Sequence, residues 1–298
     1  MGVSSSKDMA ICLIIFNPVR SKRIIMNYLY TINQFELKKL PVFTLELVFE
    51  NRKPEIPSAF HVRSDSYMFH KERMCRILET KIPSKYKKLL FIDGDVLFSN
   101  DNWYSDISKL LDTHDVVQPF ESCEWLDLTY TNVTLTRKSV LFMKEPTWNY
   151  NYHPGFAWAF RRDWYRKVGF FDWAISGSGD TLSSAAWMKK SFPLVFKSLP
   201  TSLNLVYNDF FSKPAPRITY YSGCKIQHLY HGSKINRQYV ERHRIIDNEP
   251  DIRKLITINK DGVYEWNDKA KWNPMFLEYF QSRIDDDLSD LPYNGFTS

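Results

Sequence analysis

The sequence predicts an α/β fold with a Rossmann-type, mostly parallel central sheet flanked by helices. Three observations carry this expectation. The run Leu89-Leu90-Phe91-Ile92-Asp93-Gly94-Asp95-Val96-Leu97-Phe98 is apolar over a strand's length, as in a strand buried on both faces. Strand-like and helix-like segments alternate in β-α-β-α-β order over the first hundred residues, the pattern of parallel crossovers. The chain has 298 residues, 44% hydrophobic and 25% charged, the make-up of a globular protein with a sizeable core.

The elements follow in order. Residues 11–16 read as the first buried strand, broken by Asn17-Pro18. Ser21 can cap a helix whose apolar face is Ile24, Ile25, Tyr28, Leu29 and Ile32, close to the 3.6-residue period. Residues 42–49 form a second strand ending at Glu50-Asn51, and 52–57 form a charged, Pro-punctuated loop. His61-Val62 reads as a short strand, and residues 68–80 as a helix leading through Pro83 into the Asp93 strand. Beyond it, residues 99–101 can cap a helix with Trp103, Ile107, Leu110 and Leu111 inward, and 115–120 form a further strand. Residues 122–152 are rich in Thr, Trp and Tyr and read as irregular. Residues 155–161 are strand-like, Asp163 caps a short helix, and Ser176-Gly177-Ser178-Gly179 is a loop from which Asp180-Thr181 opens a helix with Leu182, Ala185 and Ala186 on one face. Residues 225–230 read as a strand, 237–246 as a basic helix, and 255–266 as a hairpin turning at Lys260-Asp261-Gly262. The acidic end from Asp285 is expected to fray.

The expected organisation is a leader over residues 1–9, one domain over 10–284 with halves at about 10–120 and 121–284, and a tail over 285–298. Net charge is +6 and is spread along the chain, without the Lys/Arg block that marks nucleic-acid binding. The basic balance suits an anionic small ligand instead. Aromatic content of 16% is high, which serves a core and also favours a sugar or nucleotide site. Cys12, Cys75, Cys123 and Cys224 are scattered without a CxxC pair and read as reduced, mostly buried thiols of a cytoplasmic protein. The apolar run over residues 10–16 is too short to span a membrane and lacks a signal-peptide layout, so no Golgi-type anchor is expected. Met1-Gly2-Val3-Ser4-Ser5-Ser6 fits a myristoylation pattern, although a plain disordered polar leader is the favoured reading.

Ligands of parallel sheets bind outside the carboxyl ends of the strands, so Asp93 and Asp95 should stand at a site mouth, with Gly94 admitting close approach. Two hard oxygen donors there suggest a divalent cation, and the cation suggests a phosphorylated substrate. A calcium loop would need further oxygen ligands at alternate positions, where Val96, Leu97 and Phe98 stand. A haloacid-dehalogenase-type phosphatase would want a small β-branched residue at Leu97 and a later Asp pair, for which Gly179-Asp180 lacks the partner.

Residues 91–98 resemble the Asp-x-Asp signature of GT-A fold glycosyltransferases. Phe69-His70-Lys71-Glu72 resembles the lead-in helix of galactosyltransferase-like members. His153-Pro154-Gly155-Phe156-Ala157-Trp158 with Gly177-Ser178-Gly179-Asp180 resembles their acceptor side, and Cys224-Lys225-Ile226-Gln227-His228-Leu229-Tyr230-His231-Gly232 the strand that supplies a late metal-binding histidine. Virus-encoded members without membrane anchors are similar. The resemblance implies a GT-A-like sheet with a smaller acceptor-side β region, a UDP-sugar donor (xylose, glucose or galactose), a glycan acceptor, and Mn²⁺ or Mg²⁺. Asp95 would ligate directly and Asp93 would ligate or bind ribose. His228 is the third ligand, with His231 competing. Lys234 would reach the diphosphate, against the plain reading of a surface lysine. Asp180 would be the general base, against plain helix capping. The absence of a second carboxylate placed as a covalent nucleophile favours inversion. Phe16, Asn17 and Glu50, at strand ends, should line the base pocket, and Lys71 should reach ribose or phosphate. Trp125, Trp148 and Trp158 could stack on a sugar, although core packing is the plainer role of each.

Overall fold

The computed structural model describes residues 7–143, 151–190, 201–246, 249 and 251–286. Trp148, the leader residues 1–6 and the tail residues 287–298 lie outside them.

β1 (Met9–Phe16), β2 (Val42–Phe49), β3 (Phe60–Ser64) and β4 (Lys88–Ile92) are the predicted parallel strands. The first begins one residue inside the expected leader. Their connections run over α1 (Lys22–Leu37) and α2 (Lys71–Lys81). β5 (Val96–Phe98) follows, then α3 (Trp103–Thr113) and β6 (Val116–Gln118). The region expected to be irregular instead forms β7 (Ser122–Leu126) and β8 (Val133–Ser139), an antiparallel pair, with β9 (Tyr152–His153) beside β8. β10 (Ala157–Arg161), α4 (Arg162–Lys167), α5 (Gly179–Met188), α6 (Asn204–Ser212), β11 (Ile218–Tyr220) and β12 (Lys225–His228) come next. The hairpin β13 (Ile256–Ile258) and β14 (Tyr264–Trp266) turns where expected, and α7 (Lys269–Ser282), not read from the sequence, closes the described chain.

Among the described residues, seven strands make the central sheet in the order β11-β6-β10-β4-β1-β2-β3. β10 alone among its neighbours runs antiparallel, against both β4 and β6. A second sheet, β5-β12-β7-β8-β9, is the smaller β region. Side chains of β1 and β4 alternate between two cores, as a period of two requires. Ala10, Cys12, Leu89 and Phe91 pack with α2 and α7 on one face. Met9, Ile11, Leu13, Leu90 and Ile92 pack with α1 and α3 on the other. All four cysteines are buried and unpaired. No helix among the described residues is long and apolar enough to cross a membrane.

Several local expectations shift. Ser21 caps α1 as predicted, its Oγ accepting from Ile24 N at 3.2 Å, but Leu29 is 54% exposed and Thr31 and Phe35 take its place inward. α3 starts from Asn102, because Asn100 Oδ1 takes the Asn102 N–H at 2.8 Å and holds the preceding turn open. Asp163 and Asp180 lie inside the first turns of α4 and α5, where they face the positive helix end, and the caps are Arg161 and Ser178. The basic stretch 237–246 is two short 3₁₀ turns, Ile235–Arg237 and Glu241–Ile246, separated by Gln238 in the left-handed region. Finally, Asp285 is buried and Asp286 is hydrogen-bonded to α1, so the chain does not fray there.

Candidate active site

The Asp-x-Asp run is not one continuous strand. β4 ends at Ile92 in the central sheet, and β5 starts at Val96 in the second sheet. Asp93-Gly94-Asp95 is the link between them. Asp93 N donates to Phe156 O (2.8 Å), and Asp95 O accepts from Leu229 N (2.8 Å), so each end of the link is tied to a different sheet region. The two carboxylates part accordingly.

Asp95 faces the segment after β12, whose His228 lies in register with Val96. Its Oδ2 is 2.9 Å from His231 Nε2 and 3.5 Å from His228 Nε2, and the two imidazole nitrogens are 3.0 Å apart. One ligand atom from each of Asp95, His228 and His231 fits within a 4.8 Å span. Asp95 Oδ1 is buried with no hydrogen-bond partner, an orphan that a cation would satisfy. One carboxylate with two imidazoles is a donor set for a first-row divalent cation. Burial opposes the charge on Asp95, but His228, His231 and Arg237 outweigh it and hold the carboxyl below its ordinary range. Burial pushes His228 well below the usual imidazole value, against the pull of Asp95.

Asp93 is not part of this cluster. Its Oδ1 lies 2.5 Å from Lys71 Nζ at the start of α2. Burial raises its carboxyl against the pull of that lysine. Lys71, Glu72, Asp93, Phe156 and Asp180 border a cavity of about 20 Å³, room for one water. Asp180 Oδ1 accepts from Thr181 N at 2.7 Å. A Cβ on Gly155 would fall on Asp180 Oδ2 and lie 3.1 Å from His153 Nε2, so only glycine leaves this carboxylate its place. His153 is driven down to about 3 by burial and is neutral.

Lys234 lies with Nζ 3.7 Å from the Trp125 ring centre, and this buried nitrogen has no hydrogen-bond acceptor. Burial, with Arg137 nearby, pushes it down to about 8. Trp125 also packs on His153 and Phe156 and stands 6.1 Å from His228. Trp158 is a core residue: it is 2% exposed, donates to Pro154 O at 2.7 Å and packs on Trp187.

The nucleoside candidates lie at the carboxyl ends of β1 and β2, though not equally open. Phe16 is packed among Phe49, Phe69, His70 and Phe280. The Asn17 amide is committed, donating to Ser21 O and Glu55 and accepting from Ser21 N. Glu50 is exposed and accepts from Tyr67 OH at 2.9 Å.

Three residues near these groups were not singled out from the sequence. Glu72 is buried against Gly179, whose added Cβ would strike its carboxyl, and it is pushed up to about 7, mainly by burial. A Glu in a first helical turn ordinarily reads as a partner of the helix dipole, which hid it. Arg237 and Asp285 border His231, and no spacing in the sequence links them to it.

No family model matches the chain, and no curated protein does. Among solved structures it is similar to a Drosophila β1,4-galactosyltransferase 7 mutant in complex with manganese, UDP-Gal and xylobiose, at 8% identity over 90% of this chain and 98% of that one, with a TM-score of 0.43. It is also similar to a glycosyltransferase involved in glycosylation of the PBCV-1 major capsid (13% identity, 92% of this chain and 98% of that one, TM-score 0.31). A third is the 4-diphosphocytidyl-2C-methyl-D-erythritol synthase of Anaerococcus prevotii (10% identity, 74% and 88%, TM-score 0.33). Likeness at this level assigns no role to any residue.

Proposed function

We propose that the protein is a metal-dependent, inverting glycosyltransferase of GT-A type. It would move a sugar from a UDP-sugar to a hydroxyl of a glycan acceptor. The observation that carries the reading is the convergence of Asp95, His228 and His231 at the seam between the two sheets. On the central-sheet side of the link, Asp93 and Asp180 border one cavity. UDP as the nucleotide and a glycan as the acceptor come from the motif resemblance, as does the GT-A assignment.

Asp95, His228 and His231 would hold Mn²⁺ or Mg²⁺, the mixed oxygen and imidazole set favouring Mn²⁺. When bound, the cation supplies charge neutralisation for the leaving diphosphate. The Lys234 ammonium, without an acceptor of its own, is suited to the same phosphates. Lys71 holds Asp93 away from the cluster, which fits Asp93 to ribose rather than to metal. Asp180 would take the proton of the acceptor hydroxyl. That oxygen attacks the anomeric carbon on the face opposite the diphosphate, the bond from carbon to diphosphate oxygen breaks, and its electron pair leaves with UDP. One displacement inverts the anomeric centre.

A panel of UDP-sugars with Mn²⁺, followed by UDP release, tests the reading. Release that is lost in Asp95→Ala and Asp180→Ala is the expected result. Phosphate release from sugar phosphates without UDP-sugar binding would mark a metal-dependent phosphohydrolase. Binding without turnover on any donor and acceptor would mark a nucleotide- or sugar-binding module.

A further inference from the structure

We propose that residues 283–286 act as a latch that completes the metal site, with Asp285 as the positioning residue for His231. The inference rests on reading Asp95, His228 and His231 as metal ligands. Three independent contacts carry it.

The first is at Asp286. Its carboxylate accepts from Ser21 Oγ (2.7 Å), Lys22 N (3.1 Å) and Arg23 N (2.8 Å). These backbone N–H groups start α1 and have no partner within the helix, so an anion placed there is stabilised by hydrogen bonds and helix dipole together. The end of the described chain is thereby fastened to the helix that follows β1.

The second is at Gly232. It has φ +90°, and a Cβ there would lie 2.8 Å from Ile284 O and 3.2 Å from Asp285 Cα. The turn that follows His231 therefore runs directly under the latch, and only glycine fits both the backbone conformation and the gap.

The third is at Asp285 itself, whose side chain is 2% exposed. Its Oδ1 is 3.6 Å from His231 Nδ1, 3.1 Å from Arg237 Nη2 and 3.2 Å from Arg283 Nη2. The far side of the same imidazole presents Nε2 to Asp95 and His228. An imidazole that ligates through Nε2 carries its proton on Nδ1 and needs an acceptor there. Arg237 Nη2, at 2.6 Å from Nδ1, is a donor and cannot serve. Asp285 is the carboxylate facing that nitrogen. Arg237 Nη2, which also lies 3.3 Å from Nε2 and donates to His231 O at 2.5 Å, occupies Nδ1 here. Ligation through Nε2 would therefore require the Nδ1 proton to exchange this contact for Asp285, now 3.6 Å away. Carboxylates so placed behind a histidine fix its ring and tautomer.

The test is Mn²⁺ titration of the full chain, read by electron paramagnetic resonance of free Mn²⁺, without nucleotide. Asp285→Asn is expected to raise the Mn²⁺ dissociation constant about 10- to 100-fold. In a His231→Gln background the same substitution should change it no further. Asp285→Asn within about twofold of the native constant, or an equal loss in the His231→Gln background, would overturn the proposal. The Asn variant leaves two buried guanidinium groups short of charge. Should it not fold, Asp285→Glu keeps the charge but moves the carboxylate along. It is then expected to weaken Mn²⁺ binding about threefold or more, and an unchanged constant in the folded Glu variant refutes the idea. If the native chain binds no Mn²⁺ at all, the metal-site reading falls and the latch with it. Native binding with an indifferent Asp285 overturns the latch alone.

Discussion

Replacing Glu72 by Gln should make the protein more stable at alkaline pH and leave it unchanged in acid. The carboxyl of Glu72 is 7% exposed and lies against Gly179 at the start of α5. Burial is the largest reason its value rises from 4.5 to about 7; Lys71 offsets part of the rise and Asp180 adds to it. A carboxyl whose folded value lies above its unfolded value contributes stability that is fully present below 4.5 and is lost as pH rises through about 7. At roughly 1.4 kcal/mol per unit, that gap is worth about 3 kcal/mol, of which about 2.5 kcal/mol falls between pH 5 and 8. Gln has the shape of the neutral acid and does not titrate. Other titrating groups cancel when the two proteins are compared at one pH. Urea unfolding at pH 5 and pH 8 should therefore show the advantage of Glu72→Gln growing by about 2.5 kcal/mol, or about 4 °C in Tm for a chain of this length. An advantage that is the same at both pH values would refute the claim that Glu72 is held neutral by burial.

Asp180→Asn should lower turnover about 10²- to 10⁴-fold while the KM for the donor stays near the native value, as steady-state UDP release would show, since in the proposed mechanism the lost group takes the acceptor proton. Asp95→Asn should abolish Mn²⁺ binding in a direct titration, whereas Asp93→Asn should leave most of it, since Asp93 is paired with Lys71 and stands outside the cluster. Trp158→Ala should cost about 3–5 kcal/mol in urea unfolding, the toll of emptying a core aromatic site. A sugar-stacking tryptophan would instead lose substrate affinity with little change in stability.

Legibility in the sequence tracks burial on both faces. β1 and β4 are covered by helices on each side, so their runs are mostly apolar and their existence could be read directly. β2 is apolar but for the buried, hydrogen-bonded Thr44 and Glu46. The β7–β8 ladder could not be read, because β8 carries Thr-Leu-Thr-Arg-Lys with much of it exposed, and no strong apolar pattern survives. The basic stretch after Lys234 has helical composition, yet Gln238 in the left-handed region divides it into two turns. Of the site, the two histidines were legible only through the resemblance of residues 224–232, in which His228 ends β12 and His231 follows it, and Asp95 because it follows a strand. Glu72 and Asp285 were not, because their significance lies in what tertiary packing sets beside them. An acidic residue near a chain end reads as solvated until His231 and two arginines are found around it.

The separation of Asp93 from Asp95 explains how one short motif can serve two ends of a site. Were the run a single straight strand, residues i and i+2 would point to the same face, and both carboxylates would meet the same partner. Leaving the central sheet at Ile92 and entering the second at Val96 breaks that rule. Asp93 keeps the company of α2, and through Lys71 it faces the cavity it shares with Asp180. Asp95 turns to the β12 side, where the imidazoles lie. Two like charges one residue apart would raise each other's proton affinity if they stayed together. Here Asp95 still raises the Asp93 carboxyl, but each has its own partner, Lys71 for Asp93 and the imidazoles for Asp95. The seam between the sheets thus leaves the Asp95, His228 and His231 cluster on one side of the link and the cavity bordered by Asp93 and Asp180 on the other.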